Sequence, residues 1–157
     1  MELIPMLLVA PLLVAVAYYD LRYMRIPNII SLIALGLFVV TVPLVSTDEL
    51  LLRVAAGAVI LAVGLVLFGL RLLGGGDLKI LAVLMLFIPS QTWTEFGWAL
   101  SAAVLLGASF IVLLRSAPWL AETSWVTIRA RGQFPLGLSI ALAGLFHPFL
   151  VNALASL

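Results

Sequence analysis

Apolar runs take up most of this chain and leave almost nothing from which to build a water-facing surface. They begin near Leu3, Ile29, Leu50, Asp77, Phe96 and Leu136, and short polar connections separate them. A bilayer core about 30 Å thick asks for about 20 apolar residues per helix. Inside it, only helices and closed barrels satisfy their own backbone groups. Of 157 residues, 10% are charged and 65% hydrophobic, with a mean hydropathy of +1.31. Soluble domains carry about 25% charged residues, so a soluble fold is excluded. The expected fold is all-α: a polytopic membrane protein of about six transmembrane helices, forming a single domain over residues 1–157.

The spans are expected at Leu3–Tyr19, Ile29–Val45, Leu50–Leu73, Asp77–Pro89, Phe96–Leu114 and Leu136–Leu154. The fourth is short and must tilt, thin the bilayer locally or sink into protein. The first run has no basic segment before it and carries Asp20 and two arginines after it, so it reads as a retained span rather than a cleaved signal peptide. With no cysteine in the chain, disulfides, thiol catalysis and cysteine-ligated zinc are excluded. A net charge of +1 singles out no partner.

Lysine and arginine in the connections orient such a protein. One side holds Arg22, Arg25, Arg71, Lys79, Arg115, Arg129 and Arg131; the other holds only Arg53, beside Glu2, Asp48, Glu49 and Glu95. The basic side is expected to be cytoplasmic, with both termini outside. Asp48 and Glu49 are expected to cap the third span and face solvent. Trp93 and Trp98 fit an interfacial belt at the outer side. The polar stretch from Arg115 to Phe134, with Trp119, Trp125 and Ile128, reads equally well as an interfacial helix or as a loop anchored by two tryptophans.

That orientation puts Asp20 and Asp77 on one face. An ionisable group at membrane depth is costly and marks function by default. Asp20 ends an apolar run in Tyr18-Tyr19-Asp20-Leu21-Arg22, and Arg25-Ile26-Pro27-Asn28 follows. Pro27 stops one helix and Asn28 is suited to cap the next. Asp77 ends Gly74-Gly75-Gly76-Asp77. Glycines permit backbone angles closed to other residues and close approach of another chain, as an extended peptide substrate requires. The bland readings are a polar stop for Asp20 and a helix N-cap for Asp77. Lys79 lies two residues past Asp77 and faces away from it on a helix. Snorkelling to the interface is its ordinary role; a phosphate or substrate carbonyl contact is the alternative. Ser139 and His147 lie eight residues, about 12 Å, apart on one helix, too far for a nucleophile and its base. His147 is read as structural.

Asp20 with Ile26-Pro27-Asn28, followed by Gly74-Gly75-Gly76-Asp77-Leu78-Lys79, resembles the type IV prepilin peptidases, membrane aspartic proteases of the Gly-x-Gly-Asp type. Leu81-Ala82 to Leu86-Phe87 looks like the family's continuation after the second aspartate, and Phe134-Pro135-Leu136-Gly137-Leu138-Ser139-Ile140-Ala141 like its last span. The resemblance implies that Asp20 and Asp77 are catalytic, with Gly74, Gly75, Gly76, Lys79, Pro27 and Asn28 in support. One carboxylate would activate water; the other would polarise the scissile carbonyl and protonate the leaving amine. Two close carboxylates titrate as a pair. The substrate implied is a prepilin or pseudopilin, cut at the cytoplasmic face of the inner membrane. Its short basic leader would be removed, with Glu122 as a candidate receiver of that charge. The compact chain, without the larger members' cysteine-bearing insertion, looks like the branch associated with Flp-type pili or archaeal preflagellin processing, so methylation is not expected. No cofactor, metal or nucleic-acid partner is expected, and the oligomeric state is left open. The competing readings are a small proton-coupled transporter with Asp20 and Asp77 as a relay, a non-catalytic subunit of a pilus or secretion assembly, and another intramembrane aspartic protease.

Overall fold

The computed structural model describes residues 4–116, 123–130 and 134–156. Among these residues the fold is helical throughout, without strands. Helices α1 (Ile4–Tyr23), α3 (Thr47–Gly69), α5 (Trp93–Ser116) and α7 (Leu136–Ala155) are long and apolar enough to cross a membrane. Helix α2 (Asn28–Thr41) is lengthened by a 3₁₀ turn at Val42–Leu44, and α4 (Gly75–Met85) has 11 residues. These six stand where the apolar runs predict them. The seventh, α6 (Val126–Arg129), is one turn long, so the stretch after Arg115 yields no long interfacial helix among the described residues. Trp119, Glu122 and Arg131 lie outside them, as does Glu2.

Helix α4 explains how a short span is tolerated. At 1.5 Å per residue it is about 16 Å long, half of a bilayer core. Leu78, Ile80, Ala82, Leu84 and Met85 are buried around it, the pattern of a helix enclosed by others. Helices α2, α3 and α7 pack on it, α1 and α5 complete the bundle against α7, and α3 rests almost wholly on α4. Its C-terminal carbonyls, which a helix end leaves without partners, are met in two ways. The chain tightens, with Leu86 donating to Val83 and Phe87 to Leu84 at 3.1 and 2.9 Å. Arg53 Nη1 then donates to the Phe87 carbonyl and Trp93 Nε1 to that of Ile88, each at 3.4 Å.

The end of the bundle opposite the aspartates departs from expectation. Glu49 does not face solvent: it is buried, and Arg53 is fully so. Arg53 Nε donates to Glu49 Oε1 at 2.8 Å. The same carboxylate accepts the Ser90 backbone N–H at 2.7 Å and the Ser90 hydroxyl at 2.6 Å. The turn after Pro89 folds over the start of α3, and Glu49 satisfies the free N–H at the head of that turn. Burying an unpaired carboxylate is costly, which accounts for the arginine one helical turn on. Asp48 stays exposed, and Ser46 rather than either acid stands at the N-cap of α3. His147 is buried against the Phe96 ring, with Nε2 3.2 Å from the Thr92 carbonyl. Ser139 donates to the Ala103 carbonyl, so the two make separate structural contacts. Trp98 is exposed as a belt residue would be.

Candidate active site

Helix α1 does not end at the predicted boundary. It runs past Tyr19 to Tyr23 and carries Asp20 in its last full turn. Val9, Leu13 and Val16 form the buried stripe of α1, and Asp20, four residues past Val16, continues it inward. Asp20 is only 4% exposed, which rules out the polar-stop reading. The exposed surface of α1 carries Tyr18, Tyr19 and Tyr23, with the Arg22 guanidinium over the rings of Tyr18 and Tyr23 at 5.9 and 5.6 Å. The arginine beside Asp20 in sequence therefore points elsewhere.

The first turn of α7 holds the Asp20 carboxylate. The Leu138 backbone N–H donates to Asp20 Oδ2 at 2.9 Å, and the Gly137 N–H also acts on this carboxyl. A helix start has free N–H donors and a positive dipole end, and both favour a carboxylate there. Gly137 must lack a side chain: a Cβ would stand 2.9 Å from Asp20 Oδ2 and 2.6 Å from Ile26 Cδ1. The backbone under Asp20 is fixed as well. Its carbonyl accepts the hydroxyl of buried Thr127 at 3.0 Å. The Thr127 carbonyl accepts Arg115 Nε and Nη2 at 3.0 and 2.7 Å, so α5, α6 and α1 are tied together at this corner.

Asp77 is the third residue of α4, and Gly74 stands at the N-cap, which corrects the N-cap reading of Asp77. The Gly137 N–H acts on the Asp77 carboxyl too, and the charges of the two aspartates interact. The glycine run serves close approach and not unusual backbone angles, since none of its members is left-handed. A Cβ on Gly76 would stand 3.1 Å from Ile26 Cβ and 3.5 Å from the Ile26 backbone. Ile26 is thus wedged between Gly76 and Gly137, between the two aspartate-bearing segments. Left-handed backbone occurs instead at Met24 (φ 49°) and Arg71 (φ 59°). Met24 closes α1 by donating to the Asp20 carbonyl at 2.9 Å. Arg71 and Leu72 donate to Phe68 and Leu67, a Schellman end to α3 with arginine where glycine is usual.

The supporting residues separate. Pro27 stands at the N-cap of α2 with extended backbone, and Asn28 is the first helical residue without a capping bond. The Asn28 side chain instead accepts Lys79 Nζ at 3.0 Å. Lys79 faces away from Asp77, as its spacing predicts, and makes this contact in place of one to the site.

Asp20 and Asp77 both line two adjoining cavities. The larger, about 820 Å³, is bounded by the end of α3 and by Phe68, Phe134 and Leu136. The smaller, about 290 Å³, is bounded by Arg25, Ile26 and the three glycines. Two carboxyls facing common space, Asp20 buried and backbone-clasped and Asp77 half-buried on a glycine-led helix start, can serve a reaction that needs a base and an acid together. Ile26, Thr127, Gly137 and Leu138 are the contributors that motif reading missed. Pro135 opening a helix two residues before a glycine is the signal that points to Gly137.

The family model of the type IV leader peptidase family matches residues 7–116, a stretch that includes both aspartates and the glycine run and ends before α7. No curated protein and no solved structure matches the chain.

Proposed function

Because the chain belongs to the type IV leader peptidase family, we propose that it is an aspartic endopeptidase whose catalytic pair is Asp20 and Asp77. It removes the short basic leader of a type IV prepilin or pseudopilin, of the Flp type, at the cytoplasmic face of the inner membrane. The observation that carries this reading is the shared cavity wall: residues 57 apart in sequence bring their carboxyls to the same space.

The chemistry follows from a pair that shares one proton. The ionised carboxylate takes a proton from water as its oxygen attacks the scissile carbonyl. The protonated carboxyl donates toward that carbonyl oxygen as charge develops on it. When the C–N bond breaks, a proton passes to the leaving amine, and the pair is left singly protonated as it began. The Leu138 N–H holds the Asp20 carboxyl in place beside that of Asp77. The chemistry uses no metal or cofactor. The apolar helix of the substrate stays in the bilayer while its polar leader enters the larger cavity between α3 and α7.

The test is cleavage of a Flp-type prepilin by the purified chain in detergent, beside Asp20→Asn and Asp77→Asn. Wild type should trim the leader, and each variant should lose at least about 10²–10⁴-fold in rate while keeping its helical content. Equal cleavage by all three removes the aspartates from the mechanism. Ion-coupled transport without proteolysis would replace the peptidase reading with the relay.

A further inference from the structure

Away from the aspartates, α2 and α3 both pack on α4 but scarcely on each other. The space between them is a groove of about 720 Å³, walled by Leu32 and Leu35 of α2 and Val54 and Leu61 of α3, with Ala82 of α4 and Leu86 just past its end as the floor. Its polar lining is confined to Ser31 and, at one end, to Asn28 and Lys79, which form the mouth. Lys79 is exposed, and its ammonium is hydrogen-bonded to the Asn28 amide oxygen, a neutral group. Among the described residues no carboxylate lines the groove.

From this geometry we propose that the groove is a binding site for one anionic phospholipid, its phosphate at Lys79 and an acyl chain along the floor of α4. Charge and length both select that occupant. The mouth presents one cation and no anion, at the end of the bundle where the arginines of the connections also gather. A basic group between membrane helices at headgroup level is the usual receiver of an anionic headgroup. The groove runs seven residues along each of its three helices, from Asn28 to Leu35, Val54 to Leu61 and Lys79 to Leu86. At 1.5 Å per residue that is about 10 Å. One leaflet of a bilayer core is about 15 Å deep. The groove therefore matches a chain descending from the headgroup layer within one leaflet. A transmembrane helix about 30 Å long would find a surface for only a third of its length. This assignment does not rest on the peptidase reading, since Lys79 and Asp77 face different sides of α4.

Native mass spectrometry of the full chain in detergent tests it, with dioleoylphosphatidylglycerol or dioleoylphosphatidylcholine added at equal concentration. The wild type should retain a single phosphatidylglycerol, with about fivefold preference over phosphatidylcholine, the worth of one lysine near an anionic surface. Lys79→Ala should abolish the preference and Lys79→Arg should keep it. Asn28→Ala should also keep it, which separates loss of charge from loss of the hydrogen bond. Ala82→Phe, which fills the floor, should lower retention of both lipids, with circular dichroism confirming that each variant remains helical. Equal retention of both lipids by wild type overturns the proposal, and so does an unchanged preference in Lys79→Ala. Many phosphatidylglycerols bound without saturation, or a dimer or an added apolar helical peptide held in place of lipid, would also overturn it.

Discussion

The Asp20 carboxylate takes its closest hydrogen bond from the Leu138 main chain, 2.9 Å away across 118 residues of sequence. No side chain supplies it. The last helix of the bundle thereby sets the position of an acid carried on the first.

Gly137→Ala tests that relationship. The added methyl meets Ile26 Cδ1, which can swing aside, and Asp20 Oδ2, which is tethered. Displacing a reacting group by about 1 Å can cost about 10²-fold in rate. Leader cleavage should fall by at least about tenfold, with little change in helical content by circular dichroism. Unchanged cleavage would mean that the α7 start does not position the pair.

Gly64 and Leu78 form a second close contact, between α3 and α4. A Cβ on Gly64 would collide with Leu78 Cδ1, and Leu78 follows Asp77. Gly64→Ala should destabilise by about 1–3 kcal/mol, as overpacking does. Adding Leu78→Ala should recover part of the loss, with a coupling of about 0.5–3 kcal/mol. Additive effects in thermal unfolding would contradict the contact.

Arg53 and Glu49 form a buried pair at the other end. Arg53→Ala leaves the carboxylate unpaired and should cost about 3–5 kcal/mol. Glu49→Leu combined with Arg53→Met should cost less than Arg53→Ala alone, because no buried charge remains. Denaturant unfolding in detergent measures both; equal losses would show that the pair itself stabilises the fold.

Arg71 holds a left-handed angle at the end of α3. Such a conformation costs an ordinary residue about 1–2 kcal/mol. Arg71→Gly should therefore raise the melting temperature and Arg71→Val should lower it. A lower melting temperature for both would show that the arginine side chain outweighs the backbone strain.

These contacts mark how far the sequence could be read. Six apolar runs were legible because the bilayer demands them, and Asp20 and Asp77 because charge at membrane depth is rare and both fall on the basic side. The extension of α1 to Tyr23 was less visible. Its signal was the four-residue step from Val16 to Asp20, masked by the three tyrosines that look like a boundary. The burial of Glu49 could not be read, since acids in the first turn of a helix usually face water. The i,i+4 spacing to Arg53 is a pairing signal that was not read, and nothing in it points to the turn from Ser90 that covers the pair. Leu138 was invisible in principle, since a backbone donor leaves no trace in residue type.

Helix α3 is anchored near Glu49 and Arg53, rests along one flank on α4, and ends at Phe68 and Gly69 on the wall of the larger cavity. From Arg53 to Phe68 is 15 residues, about 22 Å of stiff rod. Over that length a tilt of about 5° at the Arg53 end corresponds to a displacement of about 2 Å at the cavity. One corner of the site belongs to α1 and α7, and the wall facing it to the end of α3. A change in the seating of α3 at the Glu49–Arg53 pair would therefore be felt at the cavity wall, at the opposite end of the bundle.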